Sequence, residues 1–162
     1  MTDKLTAFIS YSKFDIDYVE RLLVHMKPLE RKYQFIAWSD SKIPVGAKWK
    51  KVISEELGRA KVVVMFISAD FIASDFIMRE EYPQAIKKAE SEGTRLIIIC
   101  AGPCDLQDLE IGDYQMVNTM DDTLQDNQPD DLGAAQERIY ARAARAIREA
   151  LESADYRNSG SQ

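Results

Sequence analysis

Histidine and cysteine are scarce in this chain, whose 162 residues include one histidine, His25, and two cysteines, Cys100 and Cys104. A structural zinc site needs about four ligands drawn mainly from these residue types, and a disulfide framework needs several cysteines at regular spacings. The sequence therefore predicts neither a metal site nor a disulfide. Cys100 is predicted to end a buried strand, and Cys104 to lie in the loop that follows.

The chain also lacks a surplus of basic residues and any long apolar run. Its 21 Lys and Arg are outnumbered by 27 Asp and Glu, giving a net charge of -6. Nucleic-acid surfaces need clustered basic side chains to neutralise phosphates, so a direct nucleic-acid partner is not expected. No apolar run approaches the roughly 20 residues of a membrane span, and "MTDKLTAFISYS" has no apolar signal-peptide core. We expect a cytoplasmic protein without membrane contact.

Several catalytic and cofactor-binding motifs are absent. The sequence has no G-x-G-x-x-G, no G-x-x-x-x-G-K-[ST] and no G-x-S-x-G, which argues against dinucleotide dehydrogenases, P-loop nucleotidases and α/β-hydrolases. The lone histidine, His25, falls within a helical pattern away from the strand ends, so a Ser-His-Asp triad is not expected. No bound cofactor is predicted.

What the sequence does have is an alternation of short apolar runs with helical patterns. "LTAFIS", "KVVVMFIS" and "TRLIIIC" carry no charge beyond Lys61 and Arg95 near their starts, as is typical of strands covered on both faces. Strands that alternate with helices predict an α/β fold, a flavodoxin-like, doubly wound parallel sheet of five strands with helices on both faces. The predicted strands are residues 5–10, 35–38, 61–68, 94–100 and, more weakly, 114–117.

Helical periodicity fills the intervals between these strands. Trp49, Ile53 and Leu57 recur every four residues, which predicts a helix with Trp49 packed in the core. No linker or repeat divides the chain, so a single domain over residues 1–155 is expected, followed by a flexible tail, 156–162. The predicted helices are one that ends at Pro28, one over 48–59, one that ends near residue 93 and one over 132–153.

Polar and aromatic residues follow the first three predicted strands. In a doubly wound sheet, ligands bind beyond the carboxyl ends of the strands, and these residues are therefore candidates for a binding site. Aromatic rings can stack on a flat base, and a carboxylate can hydrogen-bond a ribose. The candidates are Ser10, Tyr11, Ser12 and Lys13 after the first strand, Trp38, Asp40 and Trp49 around the second, and Phe76 and Glu80 after the third.

Three of these stretches, in this order, resemble the conserved boxes of the Toll/interleukin-1 receptor (TIR) domain family. They are "AFISYSKFD", "AWSDSKIPVGAKWKKVISEEL" and "ISADFIASDFIMREE". The resemblance is closest to bacterial TIR domains and is clearest up to about residue 100. It implies the flavodoxin-like fold that the alternation of strands and helices already predicts.

The resemblance also implies an activity. Many TIR domains cleave NAD+ at the ribose–nicotinamide bond, as NAD+ glycohydrolases or ADP-ribosyl cyclases, and bacterial members commonly serve anti-phage defence. In those enzymes a glutamate follows an aromatic residue by four positions, in a pattern similar to S-x-W-x-x-x-E. Here the pattern reads Ser74, Phe76 and Glu80, so the resemblance selects Glu80, not Glu81, as the catalytic residue.

The remaining site residues are carried over from the same family boxes. The segment after the first strand matches the family's dinucleotide contacts, and the loop after the second strand matches the flexible BB loop, which closes over substrate or meets a neighbouring subunit. NAD+ as substrate and other TIR domains, through self-association, are the implied partners. The implied substrate-binding residues are Tyr11, Ser12, Lys13, Trp38, Asp40, Val45, Trp49 and Phe76.

Other functions and ordinary structural roles remain open at this point. The family also includes non-catalytic modules that signal by TIR–TIR assembly, and bacterial effectors that mimic host TIR domains. Glu80 also fits a solvated position in the first turn of a helix, where the helix dipole favours acidic residues. Tyr11, Ser12 and Lys13 equally fit a helix cap and loop surface.

Overall fold

The fold is a parallel sheet with helices on both faces, seen in a computed structural model that describes residues 5–33, 36–38, 46, 48–128 and 134–160. Among the described residues, four strands form the sheet, in the order β2-β1-β3-β4, and every pairing is parallel. This is the order of the first four strands of a flavodoxin-like sheet. The strands are β1 (Thr6–Ser10), β2 (Ile36–Trp38), β3 (Val62–Ile67) and β4 (Arg95–Cys100).

Helices follow the strands as the alternation predicts. A 3₁₀ turn (Lys13–Asp15) precedes α1, and a π-helical turn (Ile77–Glu81) lies between α3 and α4. The α-helices are α1 (Ile16–Tyr33), α2 (Trp49–Arg59), α3 (Ala69–Ala73), α4 (Tyr82–Ser91) and α5 (Ala135–Gly160).

Two hydrophobic clusters cover the two faces of the sheet. Alternate side chains of β1 and β3 point to opposite faces, as the period of a strand requires. Ile9 and Val64 pack with α1 and α5, whereas Phe8 and Val63 pack with α2, α3 and α4. The central strands β1 and β3 are buried throughout, which explains why their sequences are apolar without alternation.

The first helix does not end at Pro28, as predicted, but continues to Tyr33 with Pro28 inside it. A proline in a helix leaves the carbonyl four residues earlier without its usual donor. Here both Pro28 and Val24 are on the exposed side, where water can bond that carbonyl. Met26 and Leu29 are fully buried on the opposite side, and this packing holds the helix together across the proline.

The predicted fifth strand is, within the described residues, a single parallel bridge between Ile98 and Met116. Beyond this bridge, the side chain of Asn118 makes hydrogen bonds to β4 that a fifth strand would otherwise make. The Asn118 amide accepts a hydrogen bond from the Cys100 N–H and donates one to the Cys100 carbonyl, each at 2.8 Å. Together with the Leu124 N–H, which donates to the same carbonyl at 3.1 Å, Asn118 thus satisfies the backbone at the end of β4. Cys100 is fully buried at the end of β4, as predicted, and its sulfur is a free thiol.

The last helix starts at Ala135 and runs to Gly160, beyond the predicted end at residue 153. In the part of the chain that the structure describes, no helix combines the length and apolar character that a membrane crossing requires.

Candidate functional site

A cavity of about 330 Å³ opens at the carboxyl ends of β1 and β3. These two strands are neighbours in the sheet, with Ser10 of β1 in register with Met65 of β3. One wall of the cavity is the segment after β1 and the other is the segment that contains α3 and the π-helical turn. The lining residues are Tyr11, Ser12, Lys13, Phe14, Asp70, Ala73, Ser74, Phe76, Ile77 and Glu81.

Serine side chains shape both walls by capping the short helices that form them. Ser12 accepts a hydrogen bond from the Phe14 N–H at the start of the 3₁₀ turn. On the other wall, Ser74 accepts one from the Ile77 N–H at the start of the π-helical turn. Such caps satisfy N–H groups that have no partner within the helix. Ser12 therefore has a structural role in addition to its place in the lining.

Glu81 is the glutamate that lines the cavity. Its side chain is only 3% exposed, and one carboxylate oxygen accepts a hydrogen bond of 3.0 Å from the Ser10 hydroxyl. Ser10 is itself 1% exposed, at the carboxyl end of β1. A buried carboxylate needs hydrogen-bond partners to remain in place, and Ser10 supplies one from the adjacent strand.

Glu80, the residue selected by the sequence pattern, is exposed and is not among the lining residues. The difference arises from the π-helical turn, in which the Tyr82 N–H bonds to the Ile77 carbonyl, five residues back. In an α-helix, the residue four positions after Phe76 would lie on the same face as Phe76. In a π-helical turn, with its i→i+5 bonds, the residue five positions later lies on that face instead. The turn therefore places Glu81, not Glu80, on the same side as Phe76.

A second buried carboxylate lies beside the cavity. Asp15, at the end of the 3₁₀ turn, accepts a hydrogen bond of 2.6 Å from the Ser68 hydroxyl. Ser68 directly follows β3 and also caps α3 by accepting from the Phe71 N–H. Burial raises the pKa of the Asp15 carboxyl, an effect that the Ser68 hydrogen bond partly offsets and the negative charge of Asp70 reinforces.

A family model described as "TIR domain" matches residues 7–136, which is most of the chain. The chain belongs to the TIR domain family. The match includes both walls of the cavity, the strands that carry them and Glu81. The family resemblance identified from the sequence boxes is thereby confirmed.

A relative of this TIR domain is the uncharacterized protein y4lF of Sinorhizobium fredii (strain NBRC 101917 / NGR234). The two are 26% identical over 145 residues, which cover 90% of this chain and 43% of the relative. The chain thus spans less than half the length of that protein, whose name specifies no activity.

Aromatic rings stand at the rim of the TIR cavity. The Phe76 ring, which lines it, lies 4.7 Å from the Trp49 ring, centroid to centroid, at an angle of 57°. Trp49 is 46% exposed, so the prediction that it packs in the core is wrong; Ile53 and Leu57 alone of that series are buried. Phe14, on the other wall, is 71% exposed, with the Lys13 ammonium 5.2 Å from its ring centroid.

The structure brings together half of the predicted substrate-binding residues. Four of them lie in the cavity lining, and Trp49 contacts one of these four. Asp40 and Val45 lie outside the described residues, as does the side chain of Trp38, so their roles stay predictions. The four in the lining are Tyr11, Ser12, Lys13 and Phe76.

Sequence reasoning named Ser10 as a candidate but set Glu81 aside in favour of Glu80, although one signal against that choice was available. Pro83 follows Glu81 by two residues and lies in the first turn of α4. A proline there cannot donate to the carbonyl of Arg79, four residues earlier, and its ring disturbs the α-helical bond pattern just before it. Pro83 therefore indicates that residues 77–82 need not follow α-helical spacing.

Proposed function

We propose that this TIR domain cleaves the ribose–nicotinamide bond of NAD+, with Glu81 as the catalytic carboxylate. The observation that carries the proposal is the buried Glu81 carboxylate, which lines a cavity at the carboxyl ends of β1 and β3 together with the Phe76 ring on the same wall. In a flavodoxin-like sheet, ligands bind at this place, where the strand order reverses. The sequence pattern proposed Glu80 for this role, but that residue is exposed and lies outside the lining, so we favour Glu81.

One carboxylate suffices for this reaction. The nicotinamide ring of NAD+ is already cationic, so it leaves as a neutral molecule and needs no general acid. Positive charge then develops on the ribose, as in glycoside hydrolysis. A carboxylate fixed beside the ribose stabilises that charge and can orient the attacking water or hydroxyl. The products would be nicotinamide with ADP-ribose where water attacks, or with a cyclic ADP-ribose where a nucleophile of the substrate itself attacks and no water is consumed.

The cavity volume suits one part of the substrate. About 330 Å³ is near the lower end of ligand pockets, which span roughly 300–1,000 Å³. We place the nicotinamide riboside portion inside, beside Glu81 and Phe76. The adenylate portion would extend towards the rim, where Phe14 and Trp49 expose aromatic surface and where a neighbouring TIR domain would complete the site.

The test is NAD+ consumption and nicotinamide release by mass spectrometry, using a concentration series of the purified protein with and without a crowding agent. Glu81→Gln removes the charge and keeps the size of the side chain. It is expected to lower the rate at least about 100-fold. Glu80→Gln makes the same change one residue away on the exposed side and is expected to retain activity.

Each other outcome has a distinct meaning. Loss of activity in Glu80→Gln with activity retained in Glu81→Gln would restore the sequence-based choice of residue. Activity that rises more steeply than protein concentration would support activation by self-assembly. No NAD+ loss at any concentration would favour the second candidate, a non-catalytic module that acts by TIR–TIR contact. Depletion of cellular NAD+ on expression would show that the activity also operates in cells.

A further inference from the structure

Two serine–carboxylate bonds connect the walls of the cavity in a reciprocal arrangement. Ser10, at the end of β1, donates to Glu81 on the wall that follows β3. Ser68, directly after β3, donates to Asp15 on the wall that follows β1. The serine at the end of each strand thus hydrogen-bonds a carboxylate in the segment that follows the other strand. All four side chains are buried, at 1% to 7% exposure.

The two carboxylates differ in their relation to the cavity. Glu81 lines it, whereas Asp15 does not. The Ser68–Asp15 bond therefore ties one wall to the other without presenting a functional group to a ligand. The Ser10–Glu81 bond has the same chemistry and burial, but it fixes the orientation of a carboxylate that faces the cavity.

We infer that Ser10 is a positioning residue for the proposed reaction and that it sets the orientation of the Glu81 carboxylate through its hydroxyl. The inference rests on the proposed function. One Glu81 oxygen accepts from Ser10 at 3.0 Å, which limits rotation of the carboxylate plane. A side chain fixed in this way is already aligned when the substrate enters, and small misplacements of catalytic groups lower rates steeply.

Ser10 is a better candidate for this role than the lining residues around it. It makes no part of the cavity surface, so its removal does not delete a substrate contact. Its donor comes from β1, a central strand buried over its whole length, and such a strand offers a rigid support. A loss of alignment should then lower kcat while leaving KM nearly unchanged, because binding uses other residues.

The test compares Ser10→Ala with Ser10→Thr and with the matched control Ser68→Ala. Each is measured for kcat, KM and melting temperature in the NAD+ assay. Ser10→Ala is expected to lower kcat by about 10- to 100-fold with little change in KM. Ser10→Thr keeps a hydroxyl, suits the end of a strand, and is expected to recover most of the lost kcat.

Ser68→Ala separates positioning from general destabilisation. It removes an equally buried serine–carboxylate bond and, in addition, the α3 cap, so it should lower the melting temperature at least as much as Ser10→Ala. Its kcat is expected to fall less. This contrast does not depend on whether Ser10→Thr folds.

Two results would overturn the inference. In an active protein, a Ser10→Ala kcat close to that of the wild type would show that Ser10 does not position Glu81. Parallel losses of kcat and melting temperature in Ser10→Ala and Ser68→Ala would assign Ser10 a structural role alone. A wild-type protein with no NAD+ cleavage at any concentration would instead remove the proposed function, and this inference with it.

Discussion

Asp15 shows how a single buried side chain makes the stability of the fold depend on pH. The residue is 7% exposed, and burial raises the pKa of its carboxyl above the ordinary value of 3.8. Protonation is therefore easier in the folded than in the unfolded chain. The resulting stabilisation is fully present below pH 3.8 and is lost as pH rises through the folded-state pKa.

The corresponding prediction concerns Asp15→Asn, which carries no titrating proton but keeps an oxygen that can accept from Ser68. The melting temperature of the variant, relative to the wild type, is expected to increase as pH rises from about 3.8 towards 7. Thermal unfolding at a series of pH values checks this. A difference between the two proteins that stays constant with pH would contradict the assigned burial of the charge.

At the scale of elements, the π-helical turn is the feature that determines which glutamate enters the cavity. Such turns accommodate one more residue than an α-helix has at the same place. Deleting either of the adjacent residues Glu80 and Glu81 produces the same sequence, "IMREYPQ". In that chain the remaining glutamate follows Phe76 by four residues, the spacing that shares a face in an α-helix.

This deletion is expected to convert the turn to an α-helix, keep a carboxylate in the cavity and retain the NAD+ cleavage proposed above. The measurement is the same NAD+ assay together with circular dichroism. Deletion of Lys87, inside α4, is the control, because it rotates all later residues of that helix relative to the core and should destabilise the fold. Loss of activity in a stable "IMREYPQ" protein would show that the carboxylate needs the π-helical backbone itself.

The elements also show where sequence patterns are informative. The four strands were predicted because their apolar runs reflect burial on both faces, and Trp49 was misplaced because its spacing with Ile53 and Leu57 was taken as one buried face. The ends of α1 and the identity of the cavity glutamate depend on backbone hydrogen bonding near Pro28 and Pro83. Ser10 meets Glu81 because β1 pairs with β3, and the spacing of residues within one segment carries no information about that pairing.

Across the whole molecule, α1 and α5 pack together on one face of the sheet and share a charged cluster at their surface. Glu137 of α5 accepts a hydrogen bond of 2.8 Å from the Arg21 guanidinium of α1 and contacts the imidazole of His25. The Arg21 hydrogen bond is the main cause of a lowered pKa of Glu137. The Arg21 and Glu137 side chains are 49% and 42% exposed, so solvent screens the pair.

Glu137→Gln is therefore expected to lower the free energy of unfolding by less than about 1 kcal/mol at neutral pH. Because the folded-state pKa is lowered, this stabilisation is present above pH 4.5, the ordinary value for Glu, and is lost as pH falls through the folded-state pKa. Denaturant titrations at pH 7 and pH 3 check both statements. A larger effect at pH 3 than at pH 7 would contradict the role assigned to the ion pair.

The reciprocal serine bonds also have a consequence for the order of events in folding. Ser10 and Glu81 are 71 residues apart in the chain, and Ser68 and Asp15 are 53 apart. Contacts so distant in sequence form only after long loops have closed. The cavity can therefore exist only in molecules in which β1 has already paired with β3. Any native-state opening that releases β1 breaks both bonds together, and amide protons of β1 should exchange in step with loss of the cavity.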